Sequence, residues 1–237
     1  MKTLVISDLV TMRSALAQMA GICLLVYVFI SFATQSIVAG AAAVAVMVPF
    51  MYFFTVSAYD ETHNWELFRL TLPMTRRQVV FGRYASLLVV IAASLAVSFA
   101  FGVLLALAAG ALAGSLGVVV PEGLLPQGDF VPVIFGAAVM PVVIMLVACA
   151  LALPLVLRYG VTKGTRLVPV AVVLIMAFAI YLVGDGGLGA GALEGLEAWL
   201  AQGSNLAVAC GLSVAASLVL YGASACVAAR LYERREL

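Results

Sequence analysis

The chain has 237 residues, of which 65% are hydrophobic and only 10% are charged, and its net charge is +1. An ordinary soluble domain has about 25% charged residues. This composition therefore excludes a soluble domain and indicates a chain surrounded mostly by lipid. The near-zero net charge gives no reason to expect nucleic-acid binding. We expect a single all-α transmembrane domain over residues 1–237.

The N-terminal residues 1–14 carry an apolar stripe at helical spacing, with Val5, Leu9 and Met12 continuing to Leu16. This pattern predicts an amphipathic helix in the membrane interface, and a frayed extension of the first span is the alternative. A spanning helix needs about 20 apolar residues. Six runs meet or approach that length and predict six transmembrane helices: about 15–33, 37–59, 85–110, 131–157, 167–183 and 206–229.

The basic residues predict the orientation of these spans. With six spans, residues 1–14, 60–84, 158–166 and 230–237 fall on one side of the membrane, and they contain all 12 Lys and Arg residues. Because basic residues are retained in the cytoplasm, we expect both termini there. The glycine-rich segment 184–204 on the other side is interpreted either as a short amphipathic or re-entrant helix or as a surface loop.

The cytoplasmic segment 60–84 holds seven charged residues. Asn64 is a candidate N-cap and Pro73 a stop for a short helix over about Trp65–Leu70, which has apolar side chains on more than one side. So short a helix is not stable alone and needs a surface to pack on. Thr75 and Gln78 have the spacing of a capping box, which predicts a helix running into span three. Three arginines are expected there at headgroup level: Arg76, Arg77 and Arg83.

The sequence lacks the residue patterns of several kinds of functional site. No charged residue falls within the six predicted spans, which argues against a transporter coupled to an ion gradient. The only histidine is His63, and no G-x-x-x-x-G-K-[ST] nucleotide loop occurs. We therefore predict no catalytic residue and no metal site. On these grounds alone, segment 60–84 is either an interfacial loop or a helix that docks a cytoplasmic partner.

The segment "DETHNWELFRLTLPMTRRQVVFGRY" nevertheless resembles the cytoplasmic loop of type-2 ABC exporter permeases. It is most similar to that of the six-span bacterial subunits that export peptides, lantibiotics or phenol-soluble modulins. The resemblance lies in Asp60–Glu61, Trp65, Leu72–Pro73, Thr75 with Arg76–Arg77, Val79–Val80 and Arg83–Tyr84. Thr75 stands where serine is common in that family, and arginine stands at 77 and 83 where lysine is common.

The resemblance implies a coupling helix that contacts a separate ABC ATP-binding subunit, which would hold ATP and Mg²⁺, so that this chain needs no cofactor. The implied contact residues are Glu61, Trp65, Glu66, Leu67, Phe68, Arg69 and Leu70, with a secondary contact at Arg158, Lys163 and Arg166. It also implies the bacterial inner membrane, a second permease chain in a homo- or heterodimer, and an amphipathic peptide, drug or lipid-like cargo. The competing hypotheses are a stand-alone secondary transporter or channel and a membrane scaffold or immunity protein.

Overall fold

The computed structural model describes residues 6, 8, 10–62, 75–116, 121–126, 130–159 and 203–233. Every regular element in these ranges is helical. The α-helices are α1 Arg13–Ala33, α2 Ile37–Thr62, α3 Arg76–Leu116, α4 Phe130–Tyr159 and α5 Gly203–Glu233, with a 3₁₀ turn at Glu122–Leu124. The chain divides into two compact units, Met1–Met145 and Leu146–Leu237, and α4 contributes to both.

All five of these helices are long and apolar enough to cross a membrane, so within the described ranges the predicted spans one to four and six are helical. The predicted fifth span at 167–183 lies outside the described residues, as do the short helix at 65–70 and nearly all of segment 184–204. Helix α3 has 41 residues. At 1.5 Å per residue it is about 60 Å long, twice the thickness of the hydrocarbon core, so it extends well beyond the membrane.

A tight turn at Thr34–Ser36 joins α1 to α2. The Thr34 hydroxyl donates to the Ile30 carbonyl at 2.8 Å, and Gln35 adopts the left-handed region with φ of 52°. The Gln35 carbonyl lies against Gly123 so closely that a Cβ there would collide with it. Gly123 therefore lets the 3₁₀ turn pack directly on the α1–α2 turn.

Tyr27 of α1 is the central side chain of the first unit and is fully buried. Its ring lies against Gly40 of α2, and its hydroxyl is 2.5 Å from the position that a Cβ on Gly102 of α3 would take. The hydroxyl also donates to the Ile37 carbonyl at 3.4 Å. Two glycines thus form a notch for one aromatic ring and allow three helices to approach closely.

Serine hydroxyls of α3 bond the backbone of α2. Ser98 donates to the Ala41 carbonyl at 2.7 Å, and one turn earlier Ser94 donates to the Ala45 carbonyl at 3.2 Å. The second bond has a special role because Pro49 lies inside α2, four residues after Ala45. Proline has no N–H, so the Ala45 carbonyl lacks its usual partner within the helix. Ser94 supplies the missing donor in a medium that contains no water.

The second unit repeats this arrangement. Pro154 lies inside α4 and deprives the Ala150 carbonyl of its helical partner. The hydroxyl of Ser224 on α5 donates to that carbonyl. In each unit, a serine of a neighbouring helix therefore satisfies a carbonyl that a proline has freed.

We predict that Ser94→Ala destabilises the protein by about 1–2 kcal/mol, because it leaves a carbonyl unsatisfied in an apolar region. In a Pro49→Ala background the helix regains its own N–H, and the same Ser94→Ala change should cost less than about half as much. Unfolding of the purified chain in bicelles, measured for the four members of this double-mutant cycle, gives the coupling energy.

Ser98→Ala is the matched control for this cycle. It removes the same kind of bond from the same helix pair, but residue 45 has an N–H that still serves the Ala41 carbonyl. Its effect should therefore be the same with and without Pro49. Equal coupling of Ser94 and Ser98 to Pro49 would contradict the capping role of Ser94.

Candidate functional site

The structure describes only the two ends of the 60–84 loop on which the predicted partner contacts lie. Glu61 belongs to the last turn of α2, whereas Trp65, Glu66, Leu67, Phe68, Arg69 and Leu70 lie outside the described residues. Of the predicted secondary contact, Arg158 is exposed in the last turn of α4, and Lys163 and Arg166 lie outside the described residues. The geometry that is defined is therefore that of the loop base.

The predicted capping box is confirmed at the start of α3. The Gln78 N–H donates to the Thr75 hydroxyl oxygen at 3.3 Å, and the Thr75 N–H donates to the Gln78 side-chain oxygen at 3.1 Å. This reciprocal pair satisfies backbone donors that have no partner within the helix. It also explains why α3 starts at Arg76, well before the apolar run that the sequence places at 85–110.

The first turns of α3 pack against the rest of the unit. Val80, Tyr84 and Leu87 are 0%, 4% and 1% exposed and recur at helical spacing. Arg83 lies on the same side and is only 7% exposed, although the sequence analysis grouped it with Arg76 and Arg77 at the headgroups. A buried arginine requires an anionic partner.

Two carboxylates surround the Arg83 guanidinium. Its Nη2 donates to Asp60 Oδ2 in the last turns of α2, and its Nη1 lies 3.6 Å from Asp8 Oδ2 of the N-terminal segment. Asp8 is 6% exposed. We call Asp8, Asp60 and Arg83 the loop-base cluster. It joins three parts of the chain that are far apart in sequence: the segment before α1, the end of α2 and the start of α3.

The N-terminal segment reaches this cluster through a helical continuation of α1. The Leu16 N–H donates to the Met12 carbonyl at 2.8 Å, and the Met12 N–H donates to the Asp8 carbonyl at 3.1 Å. Met12 is buried on the same side as Asp8, whereas Ile6 and Val10 are 58% and 55% exposed. The segment therefore directs one carboxylate inward and an apolar face outward, as one expects next to lipid.

Neither Asp8 nor Asp60 is among the site residues predicted from the sequence. A usable signal was present, since Asp8 is the only acidic residue before Asp60 and lies four residues before Met12 on the predicted apolar stripe. A charge on the apolar side of an amphipathic helix normally has a buried partner. Helical spacing alone, however, does not reveal which of the chain's arginines that partner is.

Mechanically, the cluster makes the two ends of the 60–84 loop one structural unit. A force applied to residues between Asp60 and Arg83 would reach α2, α3 and the N-terminal segment together, because all three meet at one guanidinium. Breaking such a buried pair by removing one member leaves an uncompensated charge and costs about 3–5 kcal/mol. This part of the chain is thus suited to transmitting force.

Comparison with known proteins adds one finding to this geometry. Residues 3–233 match a family model described as "ABC-2 family transporter protein". No curated protein and no solved structure matches the chain. The family match includes the loop-base cluster and all five described helices.

We predict that Arg83→Met lowers the free energy of unfolding by about 3 kcal/mol, since it leaves the Asp8 carboxylate buried without its counterion. Arg77 is exposed and lies six residues earlier on the same helix, and Arg77→Gln should change the free energy of unfolding by no more than about 0.5 kcal/mol. A triple variant with Asp8→Leu, Asp60→Leu and Arg83→Met should recover much of the loss. The free energy of unfolding in bicelles is measured for all three variants. Equal losses in Arg83→Met and Arg77→Gln would contradict a structural role for the loop-base cluster.

Proposed function

Because the chain belongs to the ABC-2 family of transporter membrane proteins, we propose that it is the permease subunit of an ATP-driven exporter. The observation that carries this proposal is the family match over residues 3–233. The five apolar helices support it, since they make the chain a multi-pass membrane protein. The sequence has no nucleotide-binding loop, so the energy for transport comes from a separate ATP-binding subunit.

The contact with that subunit lies in the 60–84 loop. Trp65, Leu67, Phe68 and Leu70 form an apolar set on a segment too short to be stable alone, and Glu61, Glu66 and Arg69 add charges around it. Aromatic side chains in a polar surround are typical of the residues that dominate protein interfaces. The segment 158–166, with Arg158, Lys163 and Arg166, forms a secondary contact on the same side.

Force then passes from the loop to the membrane helices through the loop-base cluster. The closing of two ATP-binding subunits displaces the loop, and the Asp60–Arg83 pair makes α2 and α3 follow it as one body. Two permease chains, identical or different, enclose the pathway between them. Both termini lie in the cytoplasm of a bacterial cell, and the cargo is an amphipathic peptide, drug or lipid-like molecule.

This proposal predicts that Trp65→Ala with Phe68→Ala weakens binding of the ATP-binding subunit by at least about thirtyfold, since truncation of even one dominant interface aromatic costs about 2 kcal/mol or more. Binding is measured by titration of the ATP-binding subunit against the full chain in lipid nanodiscs, and ATP hydrolysis is followed in the same samples. Stimulation of hydrolysis by the permease should fall in parallel.

The chain offers a matched control because its only other tryptophan is Trp199, in the segment expected on the opposite side of the membrane. Trp199→Ala with Leu200→Ala should leave binding and hydrolysis unchanged. Unaltered binding in the Trp65 and Phe68 variant would contradict the coupling role. Flux of an amphipathic peptide through liposomes that contain only the purified chain would instead identify a stand-alone transporter.

A further inference from the structure

A pocket of about 320 Å³ lies between the first three helices of the first unit. Its α1 wall is formed by Leu16, Ala20 and Leu24, and α2 contributes Val44 and Val48. The wall formed by α3 includes valines that are almost half exposed, so the pocket adjoins the surface that faces the hydrocarbon. Its volume is more than twice that of an apolar cavity of about 150 Å³ that binds benzene.

The lining excludes water and polar ligands. The only hydroxyl in the pocket wall is that of Ser94. Its single proton is shared between the Ala45 and Ile91 carbonyls, at 3.2 and 2.8 Å. A buried water needs two to four polar partners, and this wall offers at most one, the Ser94 hydroxyl oxygen as an acceptor. The pocket therefore suits a hydrocarbon chain.

A positively charged residue lies on α1 one turn before the pocket. Arg13 precedes Leu16 by one turn, and Arg13, Leu16, Ala20 and Leu24 form a single stripe along α1. The pocket follows this stripe for about 12 Å of helix, at 1.5 Å per residue. Arg13 is exposed, and no acidic residue lies within four positions of it in the sequence.

We propose that this pocket is a binding site for one acyl chain of an anionic phospholipid, whose phosphate is held by Arg13. The apolar walls take the acyl chain, and the guanidinium at the start of α1 pairs with the headgroup at the membrane surface. The bound lipid fills the space between α1 and the α2–α3 pair. The site uses residues outside the loop-base cluster and does not depend on the exporter activity.

The proposal is tested with lipids that carry a photoreactive diazirine on one acyl chain. The full chain is placed in nanodiscs of phosphatidylcholine and phosphatidylglycerol, with the label on one lipid or the other, and labelled residues are mapped by mass spectrometry. Labelling is expected within residues 16–24 of α1 and 89–97 of α3. Phosphatidylglycerol should label these residues more strongly than phosphatidylcholine does.

Two variants fill the pocket from different walls: Ala20→Phe from α1 and Ala93→Phe from α3. Each should abolish labelling of the facing helix. Matched controls exist on the same helices, because Ala17 and Ala92 are exposed and do not line the pocket. Ala17→Phe and Ala92→Phe should leave the labelling pattern unchanged.

The charge is tested separately. Arg13→Gln should reduce the preference for phosphatidylglycerol by roughly fivefold and leave acyl labelling of the pocket in place, because only the headgroup contact is lost. Arg230→Gln, which removes an exposed charge from the last turn of α5, is the control and should have no effect. Absence of pocket labelling in the unaltered chain would overturn the proposal. So would labelling that persists in both Ala20→Phe and Ala93→Phe, or cross-links there to a second protein chain in place of lipid.

Discussion

A backbone carbonyl in hydrocarbon has no water to bond, and each proline inside a spanning helix frees one such carbonyl. In this chain two of the freed carbonyls, those of Ala45 and Ala150, each accept a hydrogen bond from a serine of a neighbouring helix. A hydroxyl reaches only about 3 Å, so Ser94 fixes the height at which α3 passes α2. Arg83 lies about three turns before Ser94 on the same face of α3, and this register brings it beside Asp60.

The loop-base cluster holds α2 and α3 in the same register where α2 ends and α3 begins. Charges at that position could have been solvated individually, yet Arg83 and Asp8 are buried and share one contact. A buried ion pair adds little net stability compared with apolar packing, but it tolerates few alternative arrangements. For the role in force transmission proposed above, a uniquely arranged loop base is more useful than a tightly stabilised one. The capping box at Thr75 and Gln78 fixes the residue at which α3 begins.

Much of this architecture follows from the sequence. Apolar runs predicted the helices, and the spacing of Thr75 and Gln78 predicted where α3 begins, because hydropathy and capping are local properties of the chain. The pairing of Ser94 with Pro49 and of Asp8 with Arg83 could not be predicted in this way. Both depend on which helices become neighbours and at what height. In an alanine-rich bundle, many helix registers are equally compatible with one sequence. The predicted contacts from Trp65 to Leu70 remain predictions.

The notch that receives Tyr27 has a consequence for how the protein is made. Synthesis proceeds from the N-terminus, so α1 reaches the membrane before Gly40 and Gly102 exist as a surface. Until then its tyrosine hydroxyl and the buried Ser31 must be accommodated by lipid or by the insertion machinery. The α2–α3 pair, in contrast, carries its own serine bonds and can assemble as soon as both helices are inserted. The packing of α1 is thus complete only after α3 has been synthesised, whereas the bonds between α2 and α3 require no other helix.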